Sequence, residues 1–375
     1  MKETENALIC EDTRTLAGSA FRLFRAVSEP GENIIFSPLS AFSALALAAQ
    51  GARGNTLVQL EQLFALPLAR AEKIISPFYR EKNKPLRAAS SLWLRNDFGF
   101  AADAEYIQRC AQGYDAEVKS VPFGARTIAR INAWTKKKTG GMIKKIADGA
   151  DCRAIAWLIA AAAFDAQWEK QYTACDLSPG SFTSALGKQQ TASMMRSEEQ
   201  YICLPLACGS LEGFIKPYAG GDYLFIALIP KEKQPLEEYL SHLSFGDVIN
   251  AVSSGGCDEA QTYMPRFDLS FGRQLNNALK RLGVSNAFDC DAADFSRMGK
   301  CENGNIFIGE VLQHSFIGVN EKGTRAGSAA KVEMLCKCCL PPHRIVLNRP
   351  FFFAVMHRSG FPVFMGNLCS LQGEN

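Results

Sequence analysis

Histidine is scarce in this chain: 375 residues contain four, at His242, His314, His343 and His357. A hydrolase needs a nucleophile, a base and an orienting group. None of the four stands in a nucleophile-elbow, zinc-protease or triad context, and there is no Gly-x-Ser-x-Gly. The pairs Gly140-Gly141 and Gly220-Gly221 lack the flanking residues of a phosphate-binding loop. The expectation is therefore a protein that is not an enzyme and carries no cofactor. Long apolar runs are also missing, since Ile155 to Phe164 falls short of the roughly 20 residues that cross a bilayer, which excludes a membrane-spanning helix. Met1 to Asp12 is acidic and polar, where an export signal needs a basic start and about 7 to 15 apolar residues, so a cytoplasmic location is expected. Net charge is only +3, and no basic stripe is interleaved with aromatics, so nucleic acid is not an expected partner. An even, compact cysteine framework is lacking too. The thirteen cysteines scatter from Cys10 to Cys369, which reads as free thiols in a reducing compartment.

What is present is a core. Hydrophobic residues make up 47% and charged residues 21% of the chain, the balance of a soluble globular protein. Leu16, Ala20, Leu23, Phe24 and Val27 recur at helical spacing. Ser37-Pro38 supplies an N-cap and a proline at the first helical position of a segment running to Gln50, which Gly51 ends. Leu57, Leu60, Leu63 and Phe64 mark another helix after Asn55-Thr56, and further helices are expected near 103–112, 127–138, 236–243 and 273–282. Strand signals dominate after the first hundred residues: 86–94, 116–121, 155–162, 223–229, 260–271, 306–319, 344–347, 351–357 and 361–365. Helices crowded early and strands crowded late describe an α+β protein. With no repeat or low-complexity linker, one domain over 1–375 is expected.

Three motifs call for a chemical reading. The segment from Gly318 to Ala330 is nearly all small residues, a composition suited to being a loop in one state and a buried strand in another. Cys336, Cys338, Cys339 and His343 offer four soft ligands, but Cys-x-Cys-Cys does not match the two-to-four-residue spacing of zinc sites; no metal is expected. Lys136-Lys137-Lys138 and Lys144-Lys145 form a basic cluster near a helix end, where cations complement the macrodipole on a solvated face. Trp134, Trp157 and Trp168 read as core.

The motifs taken in order resemble one family, the serpins, from about Leu16 to Asn367. Asn33-Ile-Ile-Phe-Ser-Pro-Leu-Ser40 with Gly51-Ala-Arg-Gly-Asn-Thr56 is similar to the family's first-helices signature. Asn132-Ala-Trp-Thr-Lys-Lys-Lys-Thr139, Met264-Pro-Arg-Phe267, the hinge-like Glu321-Lys-Gly-Thr-Arg-Ala326, Asn348-Arg-Pro-Phe-Phe-Phe353 and Phe364-Met-Gly-Asn367 match later family motifs. The resemblance implies three β-sheets, eight or nine helices and an exposed reactive-centre loop at about 321–342, on a monomer in a metastable state. It implies inhibition of a serine protease that attacks the loop, is acylated at the bait residue and is trapped as the loop inserts into the central sheet. The implied hinge comprises Glu321, Gly323, Thr324, Arg325, Ala326, Gly327, Ser328, Ala329 and Ala330, with Thr324, Ala326, Ser328 and Ala330 facing inward. In the family the bait closes a run of seventeen from the hinge glutamate. Counting from Glu321 reaches Lys337, with Cys338 after the scissile bond, which implies a trypsin-like, lysine- or arginine-specific partner; a slip of one or two residues makes Cys338 or Cys339 the bait. Ser37, Ser40 and His314 are implied to share a hydrogen-bond network under the central sheet. Arg325 stands where the family generally has glutamate, and Ala160 where it commonly has asparagine. The alternatives are a non-inhibitory serpin and an inhibitor regulated by oxidation of Cys336, Cys338 and Cys339.

Overall fold

The computed structural model describes residues 9–80, 85–96, 99–114, 116–147, 156–232, 234–255, 258–302, 304–324 and 343–371. Among these are three β-sheets and nine α-helices of six residues or more, besides the single turn Pro77–Arg80.

The central sheet is built around the most apolar segment of the chain. Ala156–Phe164 is buried at every position, as a strand covered on both faces must be. It pairs antiparallel with Leu86–Arg95, which in turn pairs parallel with Glu117–Val121 at the edge. On its other side it pairs parallel with Ile308–Asn320, and Phe267–Gln274 closes that flank. Side-chain alternation divides the burial between two cores. Ala156, Leu158, Ala160, Ala162 and Phe164 join the main core. Trp157 and Ile159 enter a smaller one with Ala89, Trp93, Val121, Ile131 and Trp134, beneath the helix Ala125–Lys138.

The helix Pro38–Gly51 lies in the main core between the two large sheets, touching Leu86–Arg95, Ala156–Phe164 and Pro362–Leu368. Every residue of it except Gln50 is buried, which explains why its sequence is apolar all round rather than striped. Its start is capped as the sequence predicts: Ser37 Oγ accepts from the Ser40 amide at 3.3 Å and donates to the Val363 carbonyl at 2.9 Å. The helix Glu11–Val27 buries Leu16, Ala20, Leu23, Phe24 and Val27, its expected stripe.

The second sheet has nine strands, from Ile34–Phe36 through Pro362–Leu368, Phe351–His357, Tyr223–Pro230, Gly209–Pro217, Gln189–Leu206 and Glu259–Pro265 to His343–Val346, with Leu177–Thr183 also on Gln189–Leu206. The third is the pair Phe100–Ala102 and Gly299–Cys301. Two expectations are corrected here. The run read as one strand over 260–271 is two, because Glu259–Pro265 pairs with Gln189–Leu206 while Phe267–Gln274 pairs with Ile308–Asn320. Arg266 is the crossing point, its amide donating to the Ser193 carbonyl at 3.0 Å. The segment read as a helix over 273–282 starts as the end of that strand and is helical only over Asn276–Arg281.

Candidate functional site: the mouth of the central sheet

Ile308–Asn320 and Ala156–Phe164 pair directly from Ile308 opposite Ala156 to Phe316 opposite Ala163, so no strand lies between them there. Above Phe164 they part. Gly323–Thr324 occupies the opening, antiparallel to both sides: Val319 faces Thr324 and Asn320 faces Gly323, while Gly323 faces Gln167 and Thr324 faces Ala166. The chain thus leaves Ile308–Asn320, reverses at Glu321-Lys322 and re-enters the sheet as the first rung of an additional strand.

Local chemistry fixes that reversal. Asn320 Oδ1 accepts from the Lys322 amide at 2.9 Å, the short-range turn that asparagine favours. Gly323 has φ +154°, and a Cβ there would lie 2.1 Å from the Ala166 carbonyl oxygen; only glycine fits. Trp168 secures the turn from the side, its indole Nε1–H donating to the Asn320 carbonyl at 2.8 Å and its amide to the Lys322 carbonyl at 3.0 Å. The Tyr172 amide donates to the Glu321 carbonyl at 2.9 Å, and the Glu321 carboxylate pairs with Arg266 at 2.9 Å.

Thr324 is fully buried. Its hydroxyl lies 2.6 Å from the Tyr218 hydroxyl, and the Tyr218 ring stacks on Trp168 at 4.4 Å. Burial pushes the Tyr218 phenol well above its usual range, opposed by the Thr324 contact, so both groups stay neutral and share one proton-mediated bond. Beside them Lys216 and Glu199 form a buried ion pair. The Lys216 ammonium sits 4.4 Å from the Tyr172 ring centre and 5.5 Å from that of Trp168, the geometry of a cation–π box. Burial, then the Glu199 charge, pushes the Tyr172 phenol up as well. Sequence reasoning placed Trp168 in the core and missed Tyr218, Tyr172, Lys216 and Glu199.

Lower in the sheet, Ser37 and Ser40 come together as expected, but His314 does not join them. Gln313 does: its Nε2 donates to the Ser37 carbonyl at 2.6 Å and to Ser40 Oγ at 3.2 Å. The reason is strand alternation. From Val311 to Val319, past the register shift between Ile308 and Glu310, odd-numbered residues face the helix Pro38–Gly51 and even-numbered ones face the opposite side, where His314 Nε2 lies 2.9 Å from Ser270 Oγ. Ala160 stands opposite both Ser90 and Gln313 and carries no polar group. The network bypasses it on the helix side, through Ser43 Oγ to the Ser40 carbonyl at 3.0 Å, to Tyr79 Oη at 2.6 Å and to Ser90 Oγ.

The remaining predicted site residues, Arg325, Ala326, Gly327, Ser328, Ala329, Ala330, Cys336, Lys337, Cys338 and Cys339, lie outside the described residues. His343 stacks on Tyr201 at 3.8 Å, with Nε2 3.4 Å from Asp258. Among the described residues the one tight group of metal-type ligands is Asp289, Cys290 and Asp291, all solvent-exposed.

A family model described as "Serpin (serine protease inhibitor)" matches residues 15–371. The chain belongs to the serpin family. Its curated relatives include leukocyte elastase inhibitor A of Mus musculus, 29% identical with 94% of this chain and 97% of that protein covered. Serpin B9 of Homo sapiens is 28% identical over the same shares. Among solved structures, the thermophilic serpin tengpin in its native state is 33% identical and superposes with a TM-score of 0.89, covering 97% of this chain and 95% of that one. Tengpin in its latent state gives 0.83 at 31% identity, covering 97% and 99%. The greater likeness to the native state accords with the direct pairing across the seam below Phe164. The serpin fold, with its three sheets, is what the motifs in the sequence implied.

Proposed function

We propose that this serpin inhibits trypsin-like serine proteases by suicide-substrate trapping, with Lys337 as bait and the scissile bond between Lys337 and Cys338. The protease serine attacks the Lys337 carbonyl, the peptide bond to Cys338 breaks, and its amine leaves while the acyl group stays on the enzyme. The freed segment then zips into the central sheet before water can release the acyl group. The observation that carries this reading is the placement of Gly323 and Thr324. They are hydrogen-bonded on both sides at the head of the seam between Ala156–Phe164 and Ile308–Asn320, so insertion extends a strand that already exists. Growth downward from Thr324 costs no new nucleation and replaces one strand pair with two. The lysine bait rests on the count from Glu321.

The test is incubation with trypsin followed by denaturing electrophoresis. The expected result is an SDS-resistant complex, lost in Lys337→Ala, with Cys338 at the new N-terminus of the released fragment. Cleavage without complex favours the non-inhibitory reading. A complex that survives Lys337→Ala with the fragment beginning at Cys339 or Leu340 moves the bait to Cys338 or Cys339. We further infer a monomer folding as one unit over 1–375, supported by a main core that draws its buried residues from Leu16 to Leu368. A reducing, cytoplasmic setting is supported by the free thiols Cys10, Cys110, Cys175, Cys203, Cys208, Cys290, Cys301 and Cys369.

A further inference from the structure

A surface cleft lies outside the trapping site, on the face of the second sheet turned away from the hinge. Its volume is about 350 Å³, at the small end of the roughly 300–1,000 Å³ typical of ligand pockets. Strand pairing explains its lining. Gln200 faces both Ile215 and Glu259, and Pro217 faces Leu224, while Glu198, two residues before Gln200, shares that face by alternation. The intervening Glu199 and Lys216 turn to the reverse face, where they form the buried pair beside Trp168 and Tyr172. Val252, on the helix Phe245–Ser254, closes one wall. That helix ends at Gly255, with φ +54° and no basic residue in the last turn, and a Cβ on Gly255 would lie 4.0 Å from Gln200 Nε2. The cleft therefore gathers negative potential from two independent sources. One is the helix C-terminus, whose last carbonyls carry the negative end of the macrodipole. The other is the set of exposed carboxylates Glu169, Glu198 and Glu259, opposed in the lining by the exposed ammonium of Lys170.

We propose that this cleft binds a linear aliphatic polyamine. Ammonium groups donate charge-assisted hydrogen bonds to carboxylates and to the terminal helix carbonyls, and the methylenes between them pack on Ile215, Pro217, Leu224 and Val252. Three other cationic partners fit less well. A divalent metal needs oxygen ligands that converge on one point, and among the described residues the tight group of metal-type ligands is Asp289, Cys290 and Asp291, outside this cleft. A quaternary ammonium calls for aromatic faces, and the lining contains no aromatic residue, since Trp168 and Tyr172 face Lys216 on the other side of the sheet. A basic protein surface docks over about 800 Å² per partner, whereas the carboxylates here surround one small depression.

The test needs no protease and is independent of the inhibitory reading. Binding of spermidine to the full chain is measured by calorimetry at low and at physiological salt. It is repeated for Glu198→Gln with Glu259→Gln, which removes rim charge, and for Val252→Phe, which fills the cleft and leaves its charge unchanged. The control, Glu238→Gln with Glu302→Gln, removes the same charge at exposed positions outside the cleft. The parent should bind at a single site. The rim variant and Val252→Phe should each weaken binding by about tenfold or more, and the control should stay within about twofold. Thermal melts confirm that the variants fold; if Val252→Phe does not, the rim variant, at exposed positions, decides the outcome. No binding by the parent at low salt, equal weakening in the control, or unchanged binding to folded Val252→Phe overturns the proposal. So does tighter binding of calcium, or of a pentalysine peptide, that depends on Glu198 and Glu259.

Discussion

Gln313 and His314 are adjacent in sequence and sit on opposite faces of the same strand. Gln313 is nearly fully buried, and its amide ties Ile308–Asn320 to the start of the helix Pro38–Gly51. Gln313→Ala removes two buried hydrogen bonds, one to the Ser37 carbonyl, which keeps the Ala41 amide as a donor, and one to the Ser40 hydroxyl, so it should lower stability by about 1–3 kcal/mol. That shift should appear in the urea midpoint with an unchanged m-value. An unchanged midpoint would mean that the two hydrogen bonds contribute nothing net. His314 has a different signature. Burial holds it below the usual histidine range, against an opposing hydrogen bond with the Lys145 backbone. Because the folded pKa lies below the unfolded value of about 6.5, the folded state favours the neutral ring. The resulting stability is fully present above pH 6.5 and is lost as the pH falls through the folded pKa. His314→Gln should therefore flatten the dependence of the denaturation midpoint on pH between about 7.5 and 5. A parent protein whose midpoint does not fall on acidification would contradict this. Nothing in the composition distinguishes which neighbour faces the helix. His314 was the partner that the family resemblance implied, and because both residues are polar in an apolar run, a shift of one position reverses the assignment.

At the scale of elements, the re-entry of Gly323 and Thr324 into the sheet has a sequence signal because its chemistry is local. Glycine before threonine, small residues beyond, and a glutamate at the turn all point to a segment that must enter a sheet. What the sequence withheld was the receiving surface, since Trp168, Tyr172, Tyr218, Lys216, Glu199 and Arg266 are contributed by several segments joined only through the fold. The strands Leu177–Thr183 and Gln189–Leu206 were illegible for another reason. The first buries only Phe182, the second mixes exposed polar with buried positions, and both carry few β-branched residues, so no apolar run marks them. The receiving surface yields a sharp expectation. Thr324→Arg would drive a charge against Tyr218 at a position with no exposure, at a cost on the order of 3–5 kcal/mol if left unpaired. The loop sequence around Lys337 is untouched, so recognition should persist while insertion fails. The variant should be cleaved as a substrate at close to the parent's rate, with the SDS-resistant complex reduced at least tenfold. Full trapping by Thr324→Arg would remove Thr324 from the inserting strand.

At the scale of the whole molecule, the α+β class and much of the order of elements follow from patterning that the sequence carries: the striped first helix, the capped apolar helix, the nine-residue apolar strand and the paired C-terminal strands. The topology does not, because strands adjacent in the sheets come from opposite ends of the chain, as Ile34–Phe36 with Pro362–Leu368 does. The seam between Ala156–Phe164 and Ile308–Asn320 is the central feature at this scale. It is closed by direct pairing below and already entered by Gly323 and Thr324 above. If the chain is built to convert that seam into two new strand pairings, the loop-cleaved protein must be far more stable than the intact one. The most direct measurement is the thermal midpoint of the intact protein against the same protein nicked within residues 331–339 by a protease that it does not trap. In a chain of this size about 1 kcal/mol moves the midpoint by only a few degrees or less, and a fully inserted strand should raise it by well over ten degrees. An unchanged midpoint after complete cleavage would show that the severed segment does not enter the sheet, and would contradict the trapping mechanism for this serpin.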